Sequence, residues 1–261
     1  MDAILEQRIV ELYLTGLNQY DVGDVVGKGH STVSLVLRKY GVSRPNGVKI
    51  RKCKPFTKEF IDYLDGLLLS DGNYQKPAKQ SYNSRYCHSS VTPDWLETIV
   101  VDFEKFGVLG KVRKENRLPS GCCAGYTCKQ VYYLTTLRYD KLYEQYLRWY
   151  PNGVKRVPRD IDLTSPVLWK NWIYGDGSNN VGSRLRLATH SFVDEDLDFL
   201  VVEAQRRMGV FFQKYFARVD KEGRNNYELH LTQHDGLKLL FQAIGKPDQA
   251  CFGYKWPGEF R

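Results

Sequence analysis

The sequence predicts an α+β protein in which a small helical module precedes two copies of one helix-and-strand unit. Three observations predict this architecture: helical spacing of apolar residues over residues 1–43, two apolar helices that each end in Asp-Gly, and a similar order of strands and helices after each. The acidic residues of the two Asp-Gly pairs, Asp71 and Asp176, are 105 residues apart (176 − 71). A repeat of this length indicates duplicated domains rather than a solenoid.

Composition and charge indicate which classes of protein and partner fit this chain. The chain is 42% hydrophobic and 26% charged, which is typical of a globular protein with an ordinary core. Lys and Arg number 38 against 30 Asp and Glu, and the net charge of +8 favours a polyanionic partner. The N-terminus, MDAILEQRIV, lacks a signal-peptide pattern, and no apolar run is long enough to span a membrane. The six cysteines include no CxxC pair, so reduced thiols are expected rather than a zinc site.

Residues 1–43 are predicted to form three short helices. Gly27-Lys28-Gly29 forms a tight turn, Ser31 is expected to cap the third helix, and Gly41 closes it. This segment resembles the DNA-binding helix-turn-helix of resolvases and invertases, whose third helix enters the major groove. A small helical module that only packs on itself is the alternative. The polar and basic residues expected on the outer face of the third helix are Ser31, Thr32, Ser34, Arg38 and Lys39.

Residues 44–57 are predicted to be a basic linker, because they contain several Lys and Arg residues, two Pro and no acidic residue. A basic linker between two DNA-binding modules is expected to follow the phosphate backbone. Arg51 and Lys52 are its candidate DNA contacts.

Residues 58–158 and 159–261 are predicted to be two similar halves. The first half is expected to contain strands at 85–91, 111–118 and 131–137 and helices at 94–108 and 140–149. The second half is expected to contain strands at 183–190, 211–219 and 226–232 and helices at 194–209 and 236–244. Strand 183–190 alternates basic and apolar residues, which predicts an antiparallel sheet with one buried and one polar face. A polar, partly basic sheet face is an available nucleic-acid surface. Its candidate contacts are Lys111, Arg113, Arg184, Arg186 and His230.

The two Asp-Gly helices are expected to pack against each other. Gly66 and Ser70 share one helix face, as do Asn171 and Gly175, and small residues at this spacing allow close backbone approach. Two carboxylates would then meet at helix C-termini, where the helix dipole and their mutual repulsion both disfavour negative charge. Divalent cations would relieve this repulsion, and oxygen ligands suit Mg²⁺.

Both stretches resemble the LAGLIDADG motif of homing endonucleases. The first reads Leu64-Asp65-Gly66-Leu67-Leu68-Leu69-Ser70-Asp71-Gly72; the second keeps Gly175-Asp176-Gly177 but carries Trp169, Lys170, Trp172 and Tyr174 where the family has small or aliphatic residues. The resemblance covers about residues 58–261. It implies two pseudo-symmetric αββαββα halves whose antiparallel sheets form a saddle over the DNA major groove.

The resemblance also implies the site residues. The metal ligands would be the Asp71 and Asp176 carboxylates with the Ser70 and Gly175 carbonyls. Two lysines in matched segments before a proline, Lys155 and Lys255, would be catalytic together with the two aspartates. Single-chain members of the family place such a lysine near each site, where it polarises water or steadies the pentavalent phosphate.

These features predict a monomeric endonuclease that makes a site-specific break in long double-stranded DNA and promotes the mobility of its host intron or gene. Mg²⁺ is the expected cofactor, Mn²⁺ could replace it, and Ca²⁺ would be a substitute that does not support cleavage. The alternative is a nuclease-inactive DNA-binding regulator or an intron RNA maturase on the same fold. No membrane partner is expected, and the expected location is the cytoplasm of a phage or bacterial host or an organelle.

Overall fold

The computed structural model describes residues 2–14, 19–42, 51–77, 82–115, 130–179, 184–221 and 223–261. The chain divides into two compact units, and the boundary lies between Ile50 and Arg51. Each unit has its own hydrophobic core.

The N-terminal unit contains three helices in its described part: α1 (Ala3–Leu14), α2 (Gln19–Val26) and α3 (His30–Lys39). The predicted cap at Ser31 is wrong, because α3 begins one residue earlier and the Gly29 carbonyl accepts the first backbone hydrogen bonds of the helix. Gly41 adopts a φ of +65° just after α3, as expected of a glycine that ends a helix. The core of this unit consists of Ile9, Tyr13, Val22, Val33, Val36 and Leu37.

The larger unit contains the same series of elements twice. The first series is α4 (Lys58–Leu69), β1 (Asn73–Gln75), β2 (Arg85–Ser90), α5 (Pro93–Glu104), β3 (Gly110–Lys114), β4 (Tyr132–Thr136) and α6 (Asp140–Trp149). The second is α7 (Pro166–Asp176), β5 (Gly177–Asn179), β6 (Leu185–Ala188), α8 (Asp194–Met208), β7 (Gln213–Val219), β8 (Asn225–Leu231) and α9 (His234–Ile244).

Each series builds a four-stranded antiparallel sheet from its described residues. The strand orders are β1-β2-β4-β3 and β5-β6-β8-β7, so the two sheets have one topology. This confirms the predicted α+β fold with two αββαββα halves. The sequence pattern did not place β1 and β5, because three-residue strands are too short to show an alternating pattern. Helix α5 ends at Glu104 rather than at residue 108, since Gly107 turns the chain with a φ of +75°.

Helices α4 and α7 pack together at the centre of this unit, and one continuous apolar core extends through both halves. Residues 51–57 have no regular secondary structure, but they are bonded to the core. The Lys54 amide donates to the Phe106 carbonyl at 2.9 Å, and the Arg51 carbonyl accepts from the Asp140 amide at 3.0 Å. The C-terminal part of the predicted linker is therefore held against the first half.

Candidate active site

The two motif helices meet through small residues. A Cβ added at Gly66 would lie less than 3.0 Å from the Leu168 carbonyl and from Cβ of Asn171, and one added at Gly175 would overlap the Ser70 side chain. Gly66 thus contacts Asn171, and Ser70 contacts Gly175, so each residue lies against the residue at the matching position of the other motif. This arrangement places the C-terminal ends of α4 and α7 side by side.

Asp71 and Asp176 follow at these two helix ends. Asp71 is exposed and Asp176 is half-buried, and neither carboxylate accepts a hydrogen bond from any described residue. Partial desolvation of the carboxylates by the surrounding protein raises the pKa of both groups, and the pKa of Asp176 rises to about 7 because the Asp71 charge adds to this effect. Two carboxylates that lack donors and repel each other form a site for positive charge.

Lys155 and Lys255 supply part of that charge. Burial lowers the pKa of each lysine to about 8, and the charges of Asp176 and Asp71 limit this decrease. The Lys155 ammonium lies 5.1 Å from the ring centre of Phe192, and the Lys255 ammonium lies 5.2 Å from that of Phe252. The structure therefore brings together the four side chains that are predicted to be catalytic, although Lys155 follows Asp71 by 84 residues (155 − 71) and Lys255 follows Asp176 by 79 residues (255 − 176).

The two lysines differ in their backbone contacts. Lys255 donates to three carbonyls at the end of α7, those of Ile173 (3.0 Å), Tyr174 (2.6 Å) and Gly175 (3.2 Å). In the described part of the chain, Lys155 donates only to the Gly72 carbonyl, at 3.2 Å. The Gly175 carbonyl, expected to bind metal, is therefore already hydrogen-bonded, whereas its counterpart at Ser70 accepts no bond from a described residue.

The donor set fits a hard divalent cation. Mg²⁺ in proteins typically binds one or two carboxylates together with substrate phosphates and water, which matches an aspartate pair beside backbone carbonyls. Within the described ranges, no three His, Cys, Asp or Glu side chains gather into an all-protein metal cage. Cys122, Cys123 and Cys128 lie outside those ranges. A cation here would therefore need ligands from substrate or solvent.

The sequence model of the LAGLIDADG DNA endonuclease family matches residues 61–239. The chain belongs to this family. An uncharacterized protein of Methanocaldococcus jannaschii is 30% identical over 234 residues, which cover 85% of this chain and 82% of that protein. The cytochrome b mRNA maturase bI2 of Debaryomyces hansenii is 28% identical over 218 residues, covering 73% and 71% of the two chains.

A solved structure shows the same fold. The homing endonuclease I-WcaI bound to its DNA recognition sequence is 14% identical, with a TM-score of 0.62 and coverage of 84% of this chain and 96% of that chain. I-DmoI in complex with DNA and Mn is 14% identical, with a TM-score of 0.48 and coverage of 71% and 96%. No helix among the described residues combines the length and apolar character that crossing a bilayer requires.

In this LAGLIDADG chain the outer face of the first sheet is basic. Lys111 and Arg113 lie on β3, and no described carboxylate pairs with them. Arg85 and Arg138 are not among the contacts predicted from the sequence, and both donate to the side-chain oxygen of Gln75. One terminal nitrogen of Arg138 is buried and has no partner among the described residues. Their proximity depends on the pairing of β1 with β2, so spacing along the chain could not reveal it.

The outer face of the second sheet is built differently. Arg186 is exposed on β6, as predicted, and Leu185 and Leu187 are buried on the other face. His230 lies on β8 but is only 7% exposed, because it stacks on Tyr215 with ring centres 4.3 Å apart. Arg184 precedes β6 and is half-buried.

The remaining predicted DNA contacts are near the N-terminus. On α3, Ser31 and Arg38 are exposed, whereas Thr32 and Ser34 are half-buried. Lys39 is exposed but forms an ion pair with Glu6 at 2.6 Å, which holds the pKa of that carboxyl below its usual range. Arg51 and Lys52, ahead of α4, are exposed.

Proposed function

We propose that this chain is an endonuclease that makes a divalent-metal-dependent double-strand break at a specific site in DNA. The observation that carries the proposal is the meeting of Asp71, Asp176, Lys155 and Lys255 at the adjoining ends of the two motif helices. Membership of the LAGLIDADG DNA endonuclease family supports the same reaction class.

The cation, when bound by Asp71 and Asp176 with the Ser70 and Gly175 carbonyls, would supply Lewis-acid stabilisation of the phosphate oxygens. Each lysine lies beside the carboxylate pair and has a pKa lowered to about 8, so it can hold a proton near neutral pH and exchange it with water. Their ammonium charges would also stabilise negative charge as it develops on the phosphate.

The outer faces of the two sheets would bind the DNA. Lys111, Arg113, Arg184, Arg186 and His230 are the proposed contacts. Residues 1–43 would add a second DNA contact through Ser31, Thr32, Ser34, Arg38 and Lys39, and the linker at 44–57 would follow the phosphates through Arg51 and Lys52. Linking two binding modules raises the overall affinity without new contacts in either module. The protein would act as a monomer, since residues 58–158 and 159–261 each supply one half of the site.

The second candidate is an intron RNA maturase on the same fold. The observation that favours it is the 28% identity to a cytochrome b mRNA maturase. The two candidates differ in nucleic acid and in outcome: the endonuclease cuts duplex DNA in Mg²⁺, and the maturase binds folded RNA and needs no cleavage of DNA.

A selection experiment separates them. The full chain is incubated in Ca²⁺ with randomised double-stranded DNA, the bound duplexes are enriched, and the enriched duplex is then tested for cleavage in Mg²⁺ and in Mn²⁺. We expect a double-strand break by the wild type, and we expect D71N and D176N to bind the duplex without producing that break. Enrichment of a duplex that the wild type leaves intact in both metals would show a DNA-binding regulator. No enrichment of any duplex would contradict a DNA function.

A further inference from the structure

A carboxylate lies at the centre of the outer face of the second sheet. Glu228 is on β8, where it faces Ala188 of β6 and Tyr215 of β7. Its side chain is 15% exposed and is surrounded by positive or titratable groups: the distances are 3.1 Å to His230, 3.3 Å to His190 and 3.6 Å to Arg186.

A carboxylate is an unexpected group on a surface that binds phosphates, because it repels them. Here the Arg186 guanidinium offsets its charge, and the hydrogen bond between the Glu228 carboxylate and the His230 ring nitrogen, 3.1 Å apart, holds its position. Arg186 is fixed in turn by a hydrogen bond from its Nε to the Ser178 hydroxyl at 3.1 Å. The result is a positioned hydrogen-bond acceptor that costs the surface little positive potential.

The first sheet has no such group at the matching place. Strand register makes Tyr133 the counterpart of Glu228, because Tyr133 faces Ser89 and Arg113 as Glu228 faces Ala188 and Tyr215. Arg113 and Lys111 are the cations near Tyr133, and neither of them pairs with a described carboxylate. Glu228 is therefore a feature of one half only.

We propose that Glu228 determines the base at one position of the target half that the second sheet binds, by accepting a hydrogen bond from cytosine N4. The inference rests on the proposed function, in which the outer sheet faces bind the DNA, and on the expected position of those faces over the major groove. Cytosine presents only a donor there, whereas guanine and thymine present acceptor oxygens that would repel the carboxylate. Adenine presents a donor beside the N7 acceptor, so it is the second most favourable base for contact with Glu228.

The test uses the same selection in Ca²⁺ with randomised duplex DNA, run on the full-length wild type, E228Q and E203Q. Glutamine keeps one acceptor, gains a donor and matches the N6 and N7 pattern of adenine. E203Q is the matched control, since Glu203 pairs with Arg206 and Arg207 on α8. We expect E228Q to change one position from cytosine to adenine, with about a tenfold preference, and we expect E203Q to select the wild-type motif.

A second measurement leaves the protein unchanged. Wild-type protein is titrated with its selected duplex after each conserved cytosine has been replaced, in turn, by N4-methylcytosine, which blocks the major-groove N4 donor and keeps base pairing. One position in the second half-site should lose about tenfold in affinity. A motif that E228Q leaves unchanged, or a duplex that tolerates methylation at every cytosine, overturns this inference alone. Failure of the wild type to enrich any duplex overturns the proposed function as well.

Discussion

Gly175 of α7 lies directly against the side chain of Ser70 of α4, and the two residues hold the same place in two copies of one motif. The contact between Gly66 and Asn171 repeats this relationship one helical turn earlier. Two such contacts between matching positions indicate a pseudo-twofold axis that runs between the helices. Because both helices run in the same direction along it, both Asp-Gly ends lie at one end of the pair.

A side chain added at Gly66 or Gly175, where α4 and α7 touch, should push the two helices apart. G66A places a Cβ against the Leu168 carbonyl oxygen and G175A places one against Ser70 Cβ, and neither atom can rotate away, so we expect each substitution to cost about 1–3 kcal/mol in the free energy of unfolding. Urea unfolding followed by tryptophan fluorescence measures this, since all five tryptophans are buried in the larger unit. G258A is the control, because a Cβ there meets open space. Equal midpoints for G66A and G258A would contradict the close contact.

The helix crossing was predictable from the sequence, whereas much of its surroundings was not. The four-residue spacing of Gly66 and Ser70 defines a helix face by itself, so local periodicity was sufficient. The three-carbonyl contact of Lys255 depends on how the chain returns to α7 after α9, and the environment of Glu228 depends on strand register. Neither leaves a pattern in a single sequence, because both bring together residues that are far apart along the chain.

The two halves use opposite charges at one matching position. Asp65 of α4 is buried and accepts from Arg148 at 2.5 and 2.8 Å and from the Trp149 indole at 2.9 Å, whereas its counterpart Lys170 donates to exposed Asp248 at 2.8 Å. D65A would leave the guanidinium and the indole N–H with fewer partners, so we expect it to cost about 3–5 kcal/mol of stability. K170M should cost less than about 1 kcal/mol, because its partner is in solvent.

Urea unfolding of these two variants and of R148M provides the measurement. R148M tests the pair from its other side, and it should destabilise the protein by an amount similar to D65A. A D65A variant as stable as K170M would show that the buried pair contributes no more than the exposed one.

His88 should make stability depend on pH. It is fully buried on β2 beside Trp95, one of its ring nitrogens has no described partner, and burial together with the Lys155 charge lowers its pKa to about 3. Its unfolded pKa is near 6.5, so below that pH the unfolded chain takes up a proton that the folded chain refuses. Stability from this group is therefore present above pH 6.5 and is lost as the pH falls toward 3.

H88L should remove this part of the pH dependence. Leucine already occupies the matching position at Leu187, so the substitution has a precedent in the same fold. The measurement is the free energy of unfolding of wild type and H88L from pH 7.5 to pH 4, taken as a difference so that other titrating groups cancel. The advantage of H88L over the wild type should increase by a few kcal/mol across that range. A constant difference would show that His88 takes up a proton in the folded chain as readily as in the unfolded chain.

The unequal lysines should produce unequal cleavage of the two strands. Lys255 donates to three carbonyls at the end of α7, so K255M should lose both stability and activity. We expect its free energy of unfolding to fall by about 2 kcal/mol more than that of K155M. K155M removes one backbone contact and should mainly affect catalysis.

On a supercoiled plasmid that carries the selected duplex, each variant should accumulate nicked circles, because one site remains more active than the other. Strand-specific end labels should place the nicks of K155M and K255M on opposite strands. Nicks on the same strand in both variants would mean that the two lysines serve one active site, and the pseudo-twofold assignment of one lysine to each scissile phosphate would then be wrong.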